Sequence, residues 1–404
     1  PTGPMHMGNA RGGALGDCLA AVLDKAGYNA WREFYVNDAG NQIEKFGCSL
    51  EARYLQIFKG DEIEFPEDGY QGEDIKDLAK EYADINGDSL VNVSAEERKK
   101  ALVDYALPKN IKKMQADMEK YKIFYDKWFF ESELHKSGAV KAVVDLLTKK
   151  GLTYEKEGAV WYKNKEVLTQ KLLKEGKSQK YIDNLELKDD VLIRQNGNPT
   201  YFTADIAYHK NKFDRGFTTL IDVWGADHHG HVMRMKGAMD AIGYDGDKLN
   251  VVLMQLVKLV KDGELVKMSK RTGKAIQLGD LLDEVPVDSA RFLFNTKEAN
   301  TQMDFDLDLA VSQDNQNPVY YVQYAHARIC SIFKSLAKEG ISPRECTDAE
   351  LALLTAPEEK ELINHLASYT TEIISAAKDY DPTKVTRYVT QLATLFHKFY
   401  NACR

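Results

Sequence analysis

The segment PTGPMHMGNARGGALGD (residues 1–17) carries one histidine, two prolines and five glycines before any long apolar run. Glycine at that density weakens regular structure, and ahead of a helix it commonly marks backbone that must approach a phosphate. From Asn9 to Ala26 the small and apolar residues Ala14, Leu15, Cys18, Leu19, Val22 and Leu23 follow helical spacing. Gly27 stands where a left-handed C-cap would end that helix. The next stretch, AWREFYVND (residues 30–38), is aromatic and β-branched and reads as a strand. Glycine loop, helix and strand form the downstream half of a βαβ unit, so the strand that opens the unit is expected upstream of Pro1.

Working outward, 404 residues with 44% apolar content can bury a large core divided among two or three domains. No apolar run reaches the roughly 18 residues needed to span a bilayer, and no secretory leader pattern opens the sequence. A cytoplasmic location is expected. The five cysteines, Cys18, Cys48, Cys330, Cys346 and Cys403, are scattered and contain no C-x-x-C pair, which argues for reduced thiols rather than zinc. The net charge of −8 argues against non-specific nucleic-acid binding by the whole surface; a polyanion would have to meet a local basic patch.

Between about residues 40 and 190 the chain turns polar and lysine-rich, with helical periodicity in EERKKALVDYALPKNIKKMQADMEKY, and reads as an α-rich insertion. The α/β signal resumes at VLIRQNGNPTYFTADIAYHK, a strand, a turn and a helix, followed by strand candidates TTLIDVWGADHH and LNVVLMQLVKLV. After about Asn295 the strands are expected to stop and an all-helical bundle to begin. The fold class is thus α/β: a Rossmann-type parallel-sheet domain over residues 1–295 with the insertion at about 40–190, then a helical domain over 296–404.

Two motifs carry the chemistry. His6, Gly8 and Asn9 sit at a helix start, where free N–H groups and the helix dipole favour phosphate, and a histidine there can donate to phosphoryl oxygens as charge builds. Far downstream, KMSKRTGK places Lys267, Met268, Ser269, Lys270 and Arg271 on a short loop after a strand. Cations on such a loop can close over a leaving pyrophosphate. Either motif alone is weak, the second being most simply an exposed basic loop.

Together they resemble the HIGH and KMSKS signatures of class I aminoacyl-tRNA synthetases. The longer stretches PTGPMHMGNARGGALGD, YVNDAGNQI, NPTYFTADIAYHK, GADHHGH and NPVYYVQYAHARI, in that order along nearly the whole chain, resemble the arginyl-tRNA synthetases. The resemblance implies an ATP-binding ligase of protein biosynthesis. It would activate L-arginine with ATP and Mg²⁺ to arginyl-adenylate and transfer the arginyl group to the 3′ end of arginine tRNA. It further implies an N-terminal domain not represented here, arginine activation that needs bound tRNA, and a helical anticodon-binding domain that stops short. Asn9 stands where the family pattern has a second histidine; an amide still bonds phosphate but carries no positive charge. His6, Asn9, Lys267 and Lys270 become the catalytic candidates, and Gly8, Asp227, His228, Met268 and Ser269 join them as ATP-binding candidates.

Arginine recognition can be weighed by residue type. A guanidinium is a planar, permanently charged fork that takes carboxylates in bidentate geometry and an aromatic face. Tyr201 and Asp205 stand four apart at the start of a predicted helix and share a face. The resemblance assigns both to the guanidinium, with Glu131 of FFESELH as the second carboxylate. The bland alternatives are an exposed helix acid and a core aromatic. Asn37 and Asp38 end a strand, where open α/β sheets bind ligands, and either position the arginine ammonium group or only shape the turn.

GADHHGH also looks like a metal cluster, which opens a metal-dependent phosphoesterase as a rival. No second Asp/His group with comparable spacing completes a two-metal site, so no protein-bound metal is expected; the resemblance implies instead that Asp227, His228 and His231 face the ATP and arginine site. A cysteine-specific synthetase would normally show zinc-ligand cysteines, and Cys18 and Cys48 lack suitable partners; a tRNA-binding module that had lost activation is the other rival, which Asn9 and the missing first strand favour and the intact Lys267 and Lys270 count against. In the tail, Tyr320, Tyr321, Tyr324 and Arg328 lie on or beside one helix and mix stacking surface with a cation. Tyr320, Tyr324 and Arg328 are the tRNA candidates. Tyrosines at helical spacing are commonly core, so at least half of this group is expected to be buried. A monomer without membrane contact is expected.

Overall fold

The computed structural model describes residues 1–266 and 276–403, without the side chain of residue 61. Ten strands lie among the described residues: β1 (Glu33–Val36), β2 (Lys127–Phe130), β3 (Thr153–Lys156), β4 (Ala159–Tyr162), β5 (Asp190–Ile193), β6 (Leu220–Gly225), β7 (Leu249–Met254), β8 (Val257–Lys261), β9 (Glu264–Val266) and β10 (Met303–Asp306). The chain separates into two units, one of residues 1–4, 33–116 and 125–253, the other of residues 5–32, 117–124 and 254–404.

In the first unit β1 runs parallel to β2, with Tyr35 opposite Phe129 and Val36 opposite Phe130. Both strands are aromatic and β-branched, the composition that fits a pleated, half-buried surface, and the Tyr35 and Phe129 rings stack at 6.3 Å. The C-terminal ends of the two strands therefore lie side by side, and the segments leaving them meet. β6 pairs with β7, while β3, β4 and β5 form an antiparallel meander. The sequence pattern groups β5 with the parallel candidates; it pairs instead antiparallel with β4, which itself follows β3 through a turn with Gly158 at φ +74°. The core joins Phe129, Val143, Leu147, Ile206, Met235 and Met239, all buried, so the helices Ala139–Lys149, Tyr201–Asp214 and His229–Ile242 share one apolar centre with the sheet. A second cluster, Phe46, Leu50, Tyr54, Ile75 and Leu102, joins helices Asn41–Lys59, Glu73–Asn86 and Ala95–Lys120, the polar segment expected as an insertion. β2 falls inside that expected insertion of about 40–190 yet pairs with β1.

In the second unit the first helix spans Met7–Lys25, two residues earlier than its apolar pattern suggests. It ends as its sequence implies: Gly27 takes φ +95°, and the Tyr28 N–H bonds the Leu23 carbonyl. Gly12 and Gly13 lie inside this helix rather than in a loop ahead of it. A Cβ on Gly13 would stand 3.1 Å from Ile123 Cδ1, and one on Gly12 would touch Met254, so these two glycines serve close packing and not a backbone approach to phosphate. Arg11 is fully buried and donates to the carbonyls of Gln255, Glu298 and Thr301 at 2.8 to 3.0 Å, tying the helix to the segments beyond β7 and before β10. Strands do not stop at Asn295: β10 pairs parallel with β8, whose other edge carries β9 antiparallel. The sequence hides β10 because only Met303 and Phe305 alternate there, among aspartates. Beyond it the chain is helical, with Ala325, Ala393 and Phe396 joining helices Pro318–Lys338 and Thr383–Ala402.

Candidate active site

The parallel pairing of β1 with β2 positions the first group of side chains. Asn37 and Asp38 leave the end of β1, and Glu131 begins the short helix that leaves β2. Such strand ends are where open α/β sheets bind ligands. Glu131 is 3% exposed. Its Oε2 accepts from the Tyr35 hydroxyl at 2.9 Å and, with the Asn37 amide oriented to donate, from Asn37 at 2.9 Å. Its Oε1 faces His135 Nε2 at 3.1 Å, one helical turn on. Burial pushes the Glu131 carboxyl above its ordinary value, against the hydrogen bonds from His135 and Tyr35, and the nearby Asp205 charge adds to the rise. Burial likewise drives the Tyr35 hydroxyl up, reinforced by Glu131, Asp205 and Asp38, so Tyr35 remains a donor. Asp38 spends Oδ1 on the Ser132 N–H at 2.8 Å, a bond that fastens the two strand ends together.

The second group comes from the helix Tyr201–Asp214, which starts after the β5 turn with Thr200 as its N-cap. Tyr201 opens the helix, 44% exposed, and Asp205 lies one turn further on the same face. Asp205 Oδ2 faces His231 Nε2 at 2.9 Å. The electrostatic reach of Asp205 to both Glu131 and Tyr35 makes one acidic neighbourhood from two strand ends and a helix face. The structure thus brings together Asn37, Asp38, Glu131, Asp205 and His231. Asp227 and His228 lie on the turn after β6, strongly exposed, with His228 Nε2 3.7 Å from Asp227 Oδ2. Among the described residues no group of three or more His, Cys, Asp or Glu side chains is arranged to hold a metal.

Three participants are not singled out by the sequence. Tyr35 looks like a core strand aromatic, and nothing local ties it to Glu131, 96 positions away. His135 carries a signal: Glu131 and His135 stand four apart in ESELH, the spacing of helical neighbours. Arg234 follows His231 by one turn, and its guanidinium donates to His231 Nδ1 at 2.8 Å.

In the second unit His6 is the N-cap of the first helix. Its Nδ1 accepts from the Gly8 N–H at 3.1 Å, and its own N–H donates to Asn9 Oδ1 at 3.1 Å. His6 and Asn9 thereby share the helix start reciprocally. With Nδ1 engaged as an acceptor, the exposed neutral ring presents Nε2–H as a donor. The strand-like bridge from His6 to Gln277, and the Leu278 N–H to Met5 carbonyl bond at 2.8 Å, hold the start of helix Leu278–Glu284 beside this loop. Lys267, Met268, Ser269, Lys270 and Arg271 lie outside the described residues.

On the helix Pro318–Lys338, the Tyr320 and Tyr324 rings stack 6.3 Å apart at 7°. Arg328 donates to the Tyr324 hydroxyl, with its guanidinium 4.8 Å from the Tyr324 ring and 4.6 Å from that of Tyr400. None of Tyr320, Tyr321, Tyr324 and Arg328 is buried, contrary to the expectation that half would be. The helix buries Val319 and Ala325 instead, and the tyrosines flank that stripe. No helix among the described residues is long and apolar enough to cross a membrane.

Comparison with known proteins agrees with this geometry. Residues 2–330 match the family profile "tRNA synthetases class I (R), catalytic domain", and residues 322–404 match "DALR anticodon binding domain". The arginine–tRNA ligases of Ruminiclostridium cellulolyticum and Caldanaerobacter subterraneus subsp. tengcongensis are each 57% identical to the chain, over 100% of it and 69% of their own length. A crystal structure from Campylobacter jejuni superimposes with a TM-score of 0.84 at 36% identity, covering 100% of this chain and 84% of that one. The Thermus thermophilus arginyl-tRNA synthetase shares the fold, with a TM-score of 0.72 at 21% identity over 100% of this chain and 73% of its own. With two acidic strand ends, a histidine-capped first helix and these matches, the chain belongs to the arginine–tRNA ligase family of class I aminoacyl-tRNA synthetases.

Proposed function

We propose that this chain activates L-arginine with ATP and transfers the arginyl group to the 3′ end of arginine tRNA, releasing pyrophosphate and AMP. The observation that carries the substrate is the acidic neighbourhood of Glu131 and Asp205, to which Tyr35, Asn37 and Asp38 contribute from the end of β1. A guanidinium answers it: the incoming cation compensates two neighbouring carboxylates, one of them buried, and can bond both. Tyr201 offers a ring at the mouth of the same helix, Asn37 and Asp38 lie within reach of the ammonium group, and His231 acts on Asp205.

In the first step the arginine α-carboxylate oxygen attacks the α-phosphorus of ATP, the bond to the bridging oxygen breaks, and pyrophosphate leaves. His6 Nε2–H, the positive end of the helix that begins beside Gly8, and the side-chain N–H of Asn9 stabilise charge on the phosphates, and Lys267, Met268, Ser269 and Lys270 are assigned to the leaving pyrophosphate. Asp227 and His228 complete the ATP site. In the second step a ribose hydroxyl at the tRNA 3′ end attacks the arginyl carbonyl carbon and AMP leaves. No covalent enzyme intermediate is needed, because alignment and charge complementarity suffice. Mg²⁺ arrives on the ATP phosphates as the nucleotide's own counterion. Tyr320, Tyr324 and Arg328 meet tRNA bases or phosphates. The activating domain passes to the helical tRNA-binding domain after β10, and the protein works as a cytoplasmic monomer.

The test is steady-state charging of arginine tRNA by the Glu131→Gln and Asp205→Asn variants. Each should raise the arginine KM by about 10- to 100-fold, the loss of one charged hydrogen-bonding contact, with the ATP KM within about threefold of the parent. An unchanged arginine KM in both variants contradicts the assignment.

A further inference from the structure

Asp205 stands at the end of a chain of polar contacts that crosses three elements of the first unit. Asp190, on β5, holds Arg234 through Nη1 at 3.0 Å; Arg234 Nη2 reaches His231 Nδ1 at 2.8 Å; His231 Nε2 reaches Asp205 Oδ2 at 2.9 Å. The direction of these bonds rests on one chemical fact. A guanidinium nitrogen only donates, so His231 Nδ1 accepts and carries no proton. The ring proton sits on Nε2 and is donated to Asp205. An imidazole so engaged is neutral, and it gives Asp205 a hydrogen bond without a resident positive charge.

We infer that Arg234 is a positioning residue for arginine recognition: by occupying Nδ1 it locks His231 as a neutral Nε2–H donor and leaves Asp205 uncompensated for the substrate guanidinium. An imidazolium in the same place would satisfy Asp205 with a resident cation and compete with the incoming one. The surroundings of His231 make Arg234 the deciding group. The charged side chains that face it are Asp205 from helix Tyr201–Asp214, Asp190 from β5 and Arg234 from its own helix, while the Phe202 and Trp224 rings cover it at 5.6 and 5.4 Å. Two of those three are acids, and the third, Arg234, is the cation that occupies Nδ1. The Arg234 guanidinium is itself fixed, 5.2 Å from the Phe202 ring and tied to the Asp190 carboxylate.

The inference rests on Asp205 as a guanidinium ligand, and its test separates the two. Two-bond ¹H–¹⁵N correlation spectra of the ¹⁵N-labelled full chain at about pH 7, with the His231→Gln variant for assignment, should show His231 as the Nε2–H tautomer; a protonated Nδ1 overturns the inference whatever arginine does. In charging assays the Arg234→Met variant should show an arginine KM about tenfold above the parent at about pH 6, converging to within about threefold at about pH 8, with the ATP KM unmoved. The double variant Arg234→Met, His231→Gln should lose that pH-dependent excess, since glutamine can donate to Asp205 but cannot take a second proton. An equal KM excess at both pH values, or one that persists in the double variant, also overturns it. An unmoved arginine KM in Asp205→Asn removes the ligand reading instead, and the tautomer spectrum then still decides how Arg234 acts on His231.

Discussion

In the proposed arginine site, the buried carboxyl of Glu131 would set a pH limit on substrate capture. Burial raises it above the ordinary glutamate value of about 4.3, so it takes up a proton at a higher pH than a solvated side chain would. The expected outcome is an arginine KM that climbs as pH falls toward the carboxylate range, beginning above the range of an ordinary glutamate, while the Glu131→Gln variant lacks that limb. His6 allows cap and catalysis to be separated. His6→Asn keeps an N-cap residue of the preferred kind, so the midpoint of thermal unfolding should stay within about 2 °C while kcat falls by about 10²-fold or more; an unchanged kcat would leave His6 as a cap alone. Asp205 and Glu131 were reached in the sequence through the resemblance, whose motifs carry both, and the structure sets the two in one acidic neighbourhood. Tyr35 and Arg234 were not, since what matters about each is a partner revealed only when the chain closes: Glu131 at the end of a neighbouring strand, and Asp190 on β5.

At the scale of elements, two buried charges hold helices where the site needs them. Asp222, on β6, is pulled upward by burial, but Lys212 at 2.7 Å and His209 at 2.5 Å overcome this and hold it well below the ordinary carboxylate range. His209 Nδ1 also reaches the Asp205 carbonyl at 2.7 Å, so this pair braces the helix that carries Asp205. A carboxyl depressed in the folded state contributes stability that is fully present above its unfolded value of about 3.9 and is lost as pH falls through its lower folded value. Acid titration of stability should therefore show a steeper decline below about pH 4 in the parent than in Asp222→Asn, measured by denaturant midpoints. Arg11 is the second case: its replacement by Met leaves three carbonyls without their donor and should cost about 3 kcal/mol or more in denaturant unfolding, at about 1–3 kcal/mol for each buried unsatisfied group. The first helix was readable from spacing and its glycine cap. β10 was not, because its pairing with β8 is decided by two buried side chains in a four-residue strand.

Across the whole molecule, a net charge of −8 coexists with a polyanionic substrate, which favours tRNA contact at local features; the proposed contact uses the stacked Tyr320–Tyr324 pair and Arg328. Arg328→Ala should raise the tRNA KM by about 3- to 10-fold while leaving the arginine KM unchanged, and the effect should shrink as salt increases. The order of helix, strand, polar helices, renewed strands and helical tail was legible along the chain because each obeys a hydrophobic period. The partition of strands into small parallel, antiparallel and mixed sheets was not, because period fixes an element and not its neighbour. The most direct measurement is charging of total tRNA by the full chain with each of the twenty amino acids and ATP. The account predicts arginine alone on the tRNA, with AMP and pyrophosphate released in step; charging with another amino acid, or none with arginine, would contradict it.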